Sequence, residues 1–390
     1  MSHFYSSKDF KETKIFEVKK EQRYLAFDVL RGLTIALMIL VNTPGSWSTI
    51  YAPFKHAAWH GFTITDLVFP TFLFVVGNAM SFSLRKFKEQ SNKAFFEKVL
   101  KRTFLIFFIG LFLSAFPFVY RSGGYLFLKD LSEMRIMGVL QRIALCYFFA
   151  SLIIRYFKML NSILIGVFLL LIYWGIMFYF GDAAAPYSAQ GNAALKFDLL
   201  IFSPENLWHG FGFPFDPEGL LSTLPAIVNV IAGYATGVFL QRSGNNMETI
   251  FKLMSIGFFF VLISEIWDVY FPVNKPIWTS SYVILTVGWD LILIGGLVWL
   301  IEIMTVKKWT YFFEVFGKNP LFIFVMSGVF VMLMNVIYIG GTPMKSWLYE
   351  NYFLSWLTSY NASLLFAFCY MLLMWLMGYW MDKNRIYIKV

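Results

Sequence analysis

The sequence predicts an all-α polytopic membrane protein of about ten transmembrane helices, with both termini in the cytoplasm. Three observations point there. Apolar residues make up 58% of the 390 residues and charged residues 14%, against about 25% charged in soluble globular chains. The apolar residues gather into ten runs, each near the ~20 residues that cross a bilayer. The basic residues fall between these runs, on alternate loops.

In chain order the runs occupy 25–44, 63–84, 103–120, 136–154, 161–180, 222–240, 251–271, 282–301, 320–339 and 362–381. If each run crosses, 22 of the 32 Lys and Arg share one side: the tail with Lys8 to Arg23, the segment Arg85 to Arg102, and the pairs Arg155/Lys158, Arg242/Lys252 and Lys307/Lys308, with the end of the chain from Lys383. The opposite loops hold seven: Lys55, Arg121, Lys129, Arg135, Lys196, Lys275 and Lys345. Cytoplasmic loops carry the excess of Lys and Arg, so the first side is cytoplasmic. One span more or fewer would scramble this division. The net charge of +9 thus sets orientation in a lipid bilayer, and no nucleic-acid partner is expected.

The chain divides into a cytoplasmic polar and basic tail, 1–22, and a transmembrane domain, 23–390. No cleavable signal peptide is expected, because the start is polar and the first apolar run is long enough to span. Cys146 and Cys369 both fall inside apolar runs, so neither a disulfide framework nor a thiolate metal site is implied. The longest outer loop, 181–221, contains SPENLWHGFGFPFDPEG. Loops of that length are usually functional or disordered, and its aromatics favour packing over a site.

Ionisable groups inside spans are costly and mark functional candidates. The first helix carries Asp28, Arg31 and Asn42. Arg31 and Asn42 lie eleven residues apart, hence on one face and about 16 Å apart along the axis. Asp28 and Arg31, three apart, can also simply pair. Asp66 opens the second helix, where Thr63 or Thr65 caps and a carboxylate suits the helix dipole. Gly77, eleven residues on, permits close approach of a helix or a ligand. The fourth run places Arg135 and Arg142 on one face with Gln141 beside them. Arg142, read as near mid-membrane, needs an anion: Asp290, Glu265, Asp268 or a bound phosphate.

Four histidines occur: His3, His56, His60 and His209. Histidine is the side chain suited to proton transfer near neutral pH. His56 and His60 stand four apart and with Asp66 could make three zinc ligands, but HxxxH without an intervening Glu is a weak signal. No metal is expected. Phosphate-binding Gly loops and nucleophile elbows are absent from the sequence.

The strings RYLAFDVLRGLTIALMILVNTPG and FKHAAWHGFTITDLVFPTFLFVVGNAM strongly resemble the heparan-alpha-glucosaminide N-acetyltransferase family, among its bacterial relatives. So do MRIMGVLQRIALCY, FDPEGLLSTLPAIVNVIAGYATG, NKPIWTSSYVILTVGW and FGKNPLFIF. The resemblance runs from residue 23 to about 385, and its DVLRG, VN, HAxWxG and DLVFP elements recur in order. It implies a transmembrane acetyltransferase that moves acetyl from cytoplasmic acetyl-CoA to the amino group of a glucosamine-type sugar on the other side. It also implies a multi-pass protein of the cell inner (cytoplasmic) membrane. His56 then is the catalytic histidine, with Asn42 and Asp66 as its neighbours in the site.

That chemistry fits the polar residues. His56 can take the proton of the attacking amine, or carry the acetyl group transiently itself. Asn42 can donate to the developing oxyanion, and Asp66 can orient the imidazole. Acetyl-CoA, the donor, is expected along the Arg31–Asn42 stripe, with Arg31, Asp28, Gln141 and Arg142 as its binding residues. The acceptor is an amino sugar or glycan. The oligomeric state stays open, a homodimer included. Two other readings remain at this stage: a membrane O-acyltransferase for a polysaccharide hydroxyl, and a sugar permease. Against the permease, the hydropathy shows no inverted repeat.

Overall fold

The computed structural model describes residues 24–84 and 91–388. The basic tail expected over 1–22 lies outside the described residues, as do Arg23, Arg85, Lys86, Lys88 and Lys389. Among the described residues thirteen α-helices provide nearly all the regular structure: α1 Leu25–Asn42, α2 Ile64–Ser83, α3 Asn92–Ala115, α4 Val139–Tyr156, α5 Met159–Phe180, α6 Ala193–Ile201, α7 Thr223–Ser243, α8 Met247–Asp268, α9 Ser280–Val298, α10 Thr310–Lys318, α11 Pro320–Val336, α12 Met344–Tyr349 and α13 Ser359–Lys383. Two antiparallel hairpins complete it, β1 Val119–Ser122 with β2 Tyr125–Leu128, and β3 Tyr338–Ile339 with β4 Thr342–Pro343. Each turns on two glycines at positive φ, Gly123 and Gly124, then Gly340 and Gly341. A two-residue type I′ turn requires that conformation at both positions.

Among the described residues, eight helices are long and apolar enough to cross a membrane: α1, α2, α4, α5, α7, α8, α9 prolonged to Ile303, and α13. α10 and α11 meet at a bend of 81° and together supply one more crossing if the broken pair is a single span. Pro320 accounts for the break, since it offers no N–H and disfavours a helical residue before it. The run expected over 103–120 departs furthest from expectation. It forms the latter part of α3, whose first half carries Lys93, Lys98, Lys101 and Arg102, and which ends at Ala115. The fourth run also starts later than expected. Gly138 is fully extended and the helix begins at Val139, so Arg135 belongs to the preceding loop and shares no helical face with Arg142.

The closest helix pairs meet at glycine. Gly77 of α2 rests against the Val230 carbonyl of α7, and Gly233 of α7 against the Phe74 carbonyl of α2; a Cβ at either would overlap backbone. Gly257 of α8 and Gly288 of α9 face each other in the same way. Lipid offers no hydrophobic drive between helices, so close contact at small residues has to supply dispersion energy. Phe108, Phe168 and Phe258 point outward from α3, α5 and α8. Such residues account for much of the aromatic surplus, because a lipid-facing surface needs no polar cover.

Hydrogen bonds sort the helix ends into two sets. Tyr24, before α1, donates to the Leu240 carbonyl near the end of α7 (2.8 Å), and Gln241 donates to Ser81 at the end of α2 (2.7 Å). At the opposite end Trp59 donates to the Tyr187 carbonyl (2.9 Å) and the Gly45 amide to the Ser363 carbonyl (3.2 Å). The first set joins the Lys- and Arg-rich connections and is called the basic end; the second is the far end. The long connection 181–221 belongs to the far end. It forms α6 and packs Leu207 and Phe215 with Tyr173, Phe271 and Ile277, against Trp59.

Candidate active site

The site is built on the connection between α1 and α2 at the far end. Asp66 lies in the first turn of α2 and is buried. Its Oδ2 accepts from the Thr63 amide (3.1 Å), the Thr63 hydroxyl (3.0 Å) and the Ala57 amide (3.1 Å). Its Oδ1 meets Nδ1 of His56 at 2.7 Å. Capping and orientation of the histidine, separate readings of Asp66 in the sequence, are therefore one arrangement. The carboxylate holds the loop by one oxygen and the imidazole by the other. With Nδ1 donating to Asp66, Nε2 is the nitrogen left to accept a proton. The His56 side chain is 46% exposed and that of Asp66 1%, so a solvent-reachable ring stands on a buried carboxylate. Tyr282 of α9 fixes the base of the site, its hydroxyl donating to the Asp66 carbonyl (2.6 Å).

Lys275 completes the group and was not anticipated. It comes from the connection between α8 and α9. Its ammonium lies 3.0 Å from His56 Nδ1, 3.4 Å from His56 Nε2 and 3.7 Å from Asp66 Oδ1. Burial pushes the Lys275 ammonium below the usual lysine range, with Asp66 and Glu218 pulling the other way. Glu218 belongs to a second cluster. Arg135 holds Asp216 with two bonds (2.8 and 2.6 Å) and Glu218 with one (2.6 Å). Burial alone would raise the Glu218 carboxyl; the charges of Arg135, Arg142 and Lys275 outweigh it and hold the group below its ordinary value. Lys275, Arg135, Asp216 and Glu218 sit in NKPIW, MRIMG and FDPEG. Charged residues in these otherwise apolar far-end strings were the available signal.

The other expected residues are placed as follows. Asn42 ends α1 with an exposed side chain and makes no hydrogen bond to His56, Asp66 or Lys275. Arg31 pairs with Asp28 (2.5 Å) and donates through Nε to the Gly317 carbonyl (2.8 Å). Gln141 is buried against Gly110 and Gly138. Arg142 is fully buried near the start of α4 rather than at mid-helix. It meets none of the carboxylates considered for it, and donates instead to the Gly219 carbonyl (2.9 Å) and to the Ser222 hydroxyl, beneath the Trp278 ring at 4.8 Å. Asp290 bonds Thr71 (2.5 Å), Asp268 accepts from the Val273 amide (2.5 Å), and Glu265 is exposed on α8. His60 Nδ1 lies 3.3 Å from the amide nitrogen of Asn274, whose oxygen accepts from the Ile277 amide. Among the described residues no three His, Cys, Asp or Glu side chains are grouped to hold a metal.

Asp198 on α6 is buried and accepts from the Leu220 amide (2.9 Å). Burial pushes its carboxyl up to about 7, the Leu220 bond opposing and Asp216 adding to the rise. A carboxyl raised above its unfolded value of about 3.9 stabilises the fold fully at low pH, and loses that contribution as pH climbs to about 7. Thermal unfolding in detergent should therefore show stability falling from pH 5 to 7.5. Asp198→Asn should flatten that slope; an unchanged slope in the variant would contradict the assignment.

Comparison with known proteins identifies the family. The family model described as heparan-alpha-glucosaminide N-acetyltransferase, catalytic, matches residues 23–264. The heparan-alpha-glucosaminide N-acetyltransferase of Homo sapiens is 24% identical over 361 residues, covering 79% of this chain and 53% of the relative. That of Mus musculus is 24% identical over 314 residues, covering 67% and 46%. The chain thus spans about half the length of the curated relatives it matches.

Proposed function

The chain belongs to the heparan-alpha-glucosaminide N-acetyltransferase family, and from that premise we propose that it is a transmembrane N-acetyltransferase. It moves acetyl from acetyl-CoA at the basic, cytoplasmic end to the amino group of a glucosamine-type sugar at the far side of the cell's inner membrane. The observation that carries this reading is the His56–Asp66 pair with Lys275 against it, at the end of the helices opposite the basic loops.

The amine nitrogen attacks the thioester carbonyl carbon, the C–S bond breaks, and CoA leaves as thiolate. His56 Nε2 takes the proton that the amine must lose and returns it to the sulfur, so no net charge stays on the protein. Asp66 holds the ring in the tautomer this requires. The carbonyl oxygen gathers negative charge as the bond forms. Lys275, 3.4 Å from Nε2, is in reach of that oxygen, and Asn42 at the end of α1 is a second donor for it. Glu218, beside Lys275, suits the ammonium or hydroxyls of an amino sugar.

For the donor, the structure offers a small cavity of about 120 Å³ between α1, α2, α3, α4 and α11, bordered by Arg31 and Arg102. Nε of Arg102 is buried without a hydrogen-bond partner among the described residues, its guanidinium lying 4.6 Å over the Tyr147 ring. A cavity of this size takes a phosphate, not a whole nucleotide. It favours donor phosphates at this point of the basic end, with the pantetheine chain running along α1 toward Asn42. Arg102→Gln and Arg31→Ala should each raise KM for acetyl-CoA roughly tenfold to a hundredfold, the size of a lost charge-assisted bond, and spare kcat. If either variant loses heat stability with KM unchanged, Arg31 and Arg102 serve the fold alone.

A further inference from the structure

A much larger cavity at the basic end is not used by this chemistry. It holds about 620 Å³ between the ends of α2, α4 and α7 and the start of α5, with Arg155, Lys158 and Arg242 in its wall. Ser162, Tyr234 and Gln241 add hydrogen-bonding groups, and no Asp or Glu lines it among the described residues. α1 takes no part in it. Next to it, with Met159, Val238 and Arg242 in the wall of both, a groove of about 400 Å³ runs up α7 between α5 and α8. Apart from Arg242 and Thr236 the groove is walled by apolar side chains and Gly166. From Arg242 to Val228 it follows fourteen residues of α7, about 21 Å. That exceeds half of the ~30 Å hydrocarbon core, so it spans the depth of one leaflet.

We propose that this is a binding site for an acidic glycerophospholipid of the leaflet at the basic end. The phosphate lies among Lys158, Arg242 and Arg155, and one acyl chain lies in the groove toward Gly166 and Val228. Two features select this occupant. The head pocket is basic and hydrogen-bonding, with no carboxylate among the described residues to oppose an anion, and the groove beside it is an apolar slot at membrane depth, unsuited to a soluble nucleotide. Arg155 also bonds Asn92 (3.0 Å), which steadies its guanidinium at the rim.

The test uses the full chain, delipidated in detergent, with thermal unfolding and native mass spectrometry as readouts. Probes are dioleoyl phosphatidylglycerol, dioleoyl phosphatidylcholine, inorganic phosphate and adenosine 3′,5′-bisphosphate. Phosphatidylglycerol should raise the melting temperature and stay bound in the mass spectrum; phosphatidylcholine and the two soluble anions should do neither. Lys158→Gln with Arg242→Gln should weaken phosphatidylglycerol about thirtyfold, as expected for two basic groups at a membrane surface. Gly166→Phe places a ring in the groove, where a Cβ meets Val228 at 3.6 Å without overlap, and Gly166 does not line the head pocket. It should abolish lipid retention, and it stands as a separate check if the double variant does not fold. Equal binding of phosphatidylcholine, displacement by the bisphosphate, or full retention in Gly166→Phe would each overturn the proposal.

Discussion

His56→Ala is expected to lose 10²–10⁴-fold in acetyl transfer, the usual contribution of a positioned general base, while still binding acetyl-CoA. The donor's phosphates are assigned to the cavity bordered by Arg31 and Arg102, whose lining does not include His56, so removing the imidazole leaves that binding untouched. Single-turnover transfer in detergent, with donor affinity measured in parallel, checks both halves. The geometry singles out His56: it alone among the described histidines meets a buried carboxylate, and its ring is open to the far side. His60→Ala should be milder, since His60 rests on Asn274. Turnover of His56→Ala above about one tenth of the parent would remove His56 from the chemistry.

Asp66→Asn is expected to cost about 10³–10⁴-fold in kcat, by the precedent of a triad histidine whose carboxylate is neutralised. An amide can present its NH₂ to Nδ1 and so favour the wrong tautomer, leaving Nε2 protonated and unable to accept. The same change leaves the Lys275 ammonium without the carboxylate 3.7 Å away. Asparagine remains an acceptable partner at a helix start, so folding yield should fall little. That separates this variant from Asp66→Ala, which would also leave the Thr63 and Ala57 amides without their acceptor. A kcat for Asp66→Asn within tenfold of the parent would mean that Asp66 only caps α2.

Much of the fold was legible because a bilayer imposes a period of about 20 residues that a sequence displays openly. Most helices begin and end within a few residues of their apolar runs. The departures have local causes. α3 runs back through Lys98, Lys101 and Arg102 because hydropathy marks apolar depth, not hydrogen bonding. α4 starts at Val139 because Gly138 is extended, which turns Arg135 from a helical residue into a loop clamp on Asp216. The His56–Asp66 contact was legible through the family elements that carry both residues, ten apart in the chain. Lys275 was not. It reaches His56 across 219 positions, and only the packing of α9 on α2, with Tyr282 bonded to the Asp66 carbonyl, brings the two loops together. Arg142 shows the converse. None of the three carboxylates weighed for its buried charge meets it; carbonyl and hydroxyl oxygens and the Trp278 ring do, with Nε and Nη1 left without a hydrogen-bond partner among the described residues.

The central claim is that donor and acceptor meet from opposite sides of the membrane, and sealed proteoliposomes test it directly. Protein oriented so that tags on its termini face outward receives labelled acetyl-CoA in the outside medium, with glucosamine trapped inside. The account predicts that N-acetylglucosamine forms in the lumen, that CoA appears outside, and that the His56→Ala protein makes neither. Product forming only when acetyl-CoA and glucosamine share a compartment would contradict it.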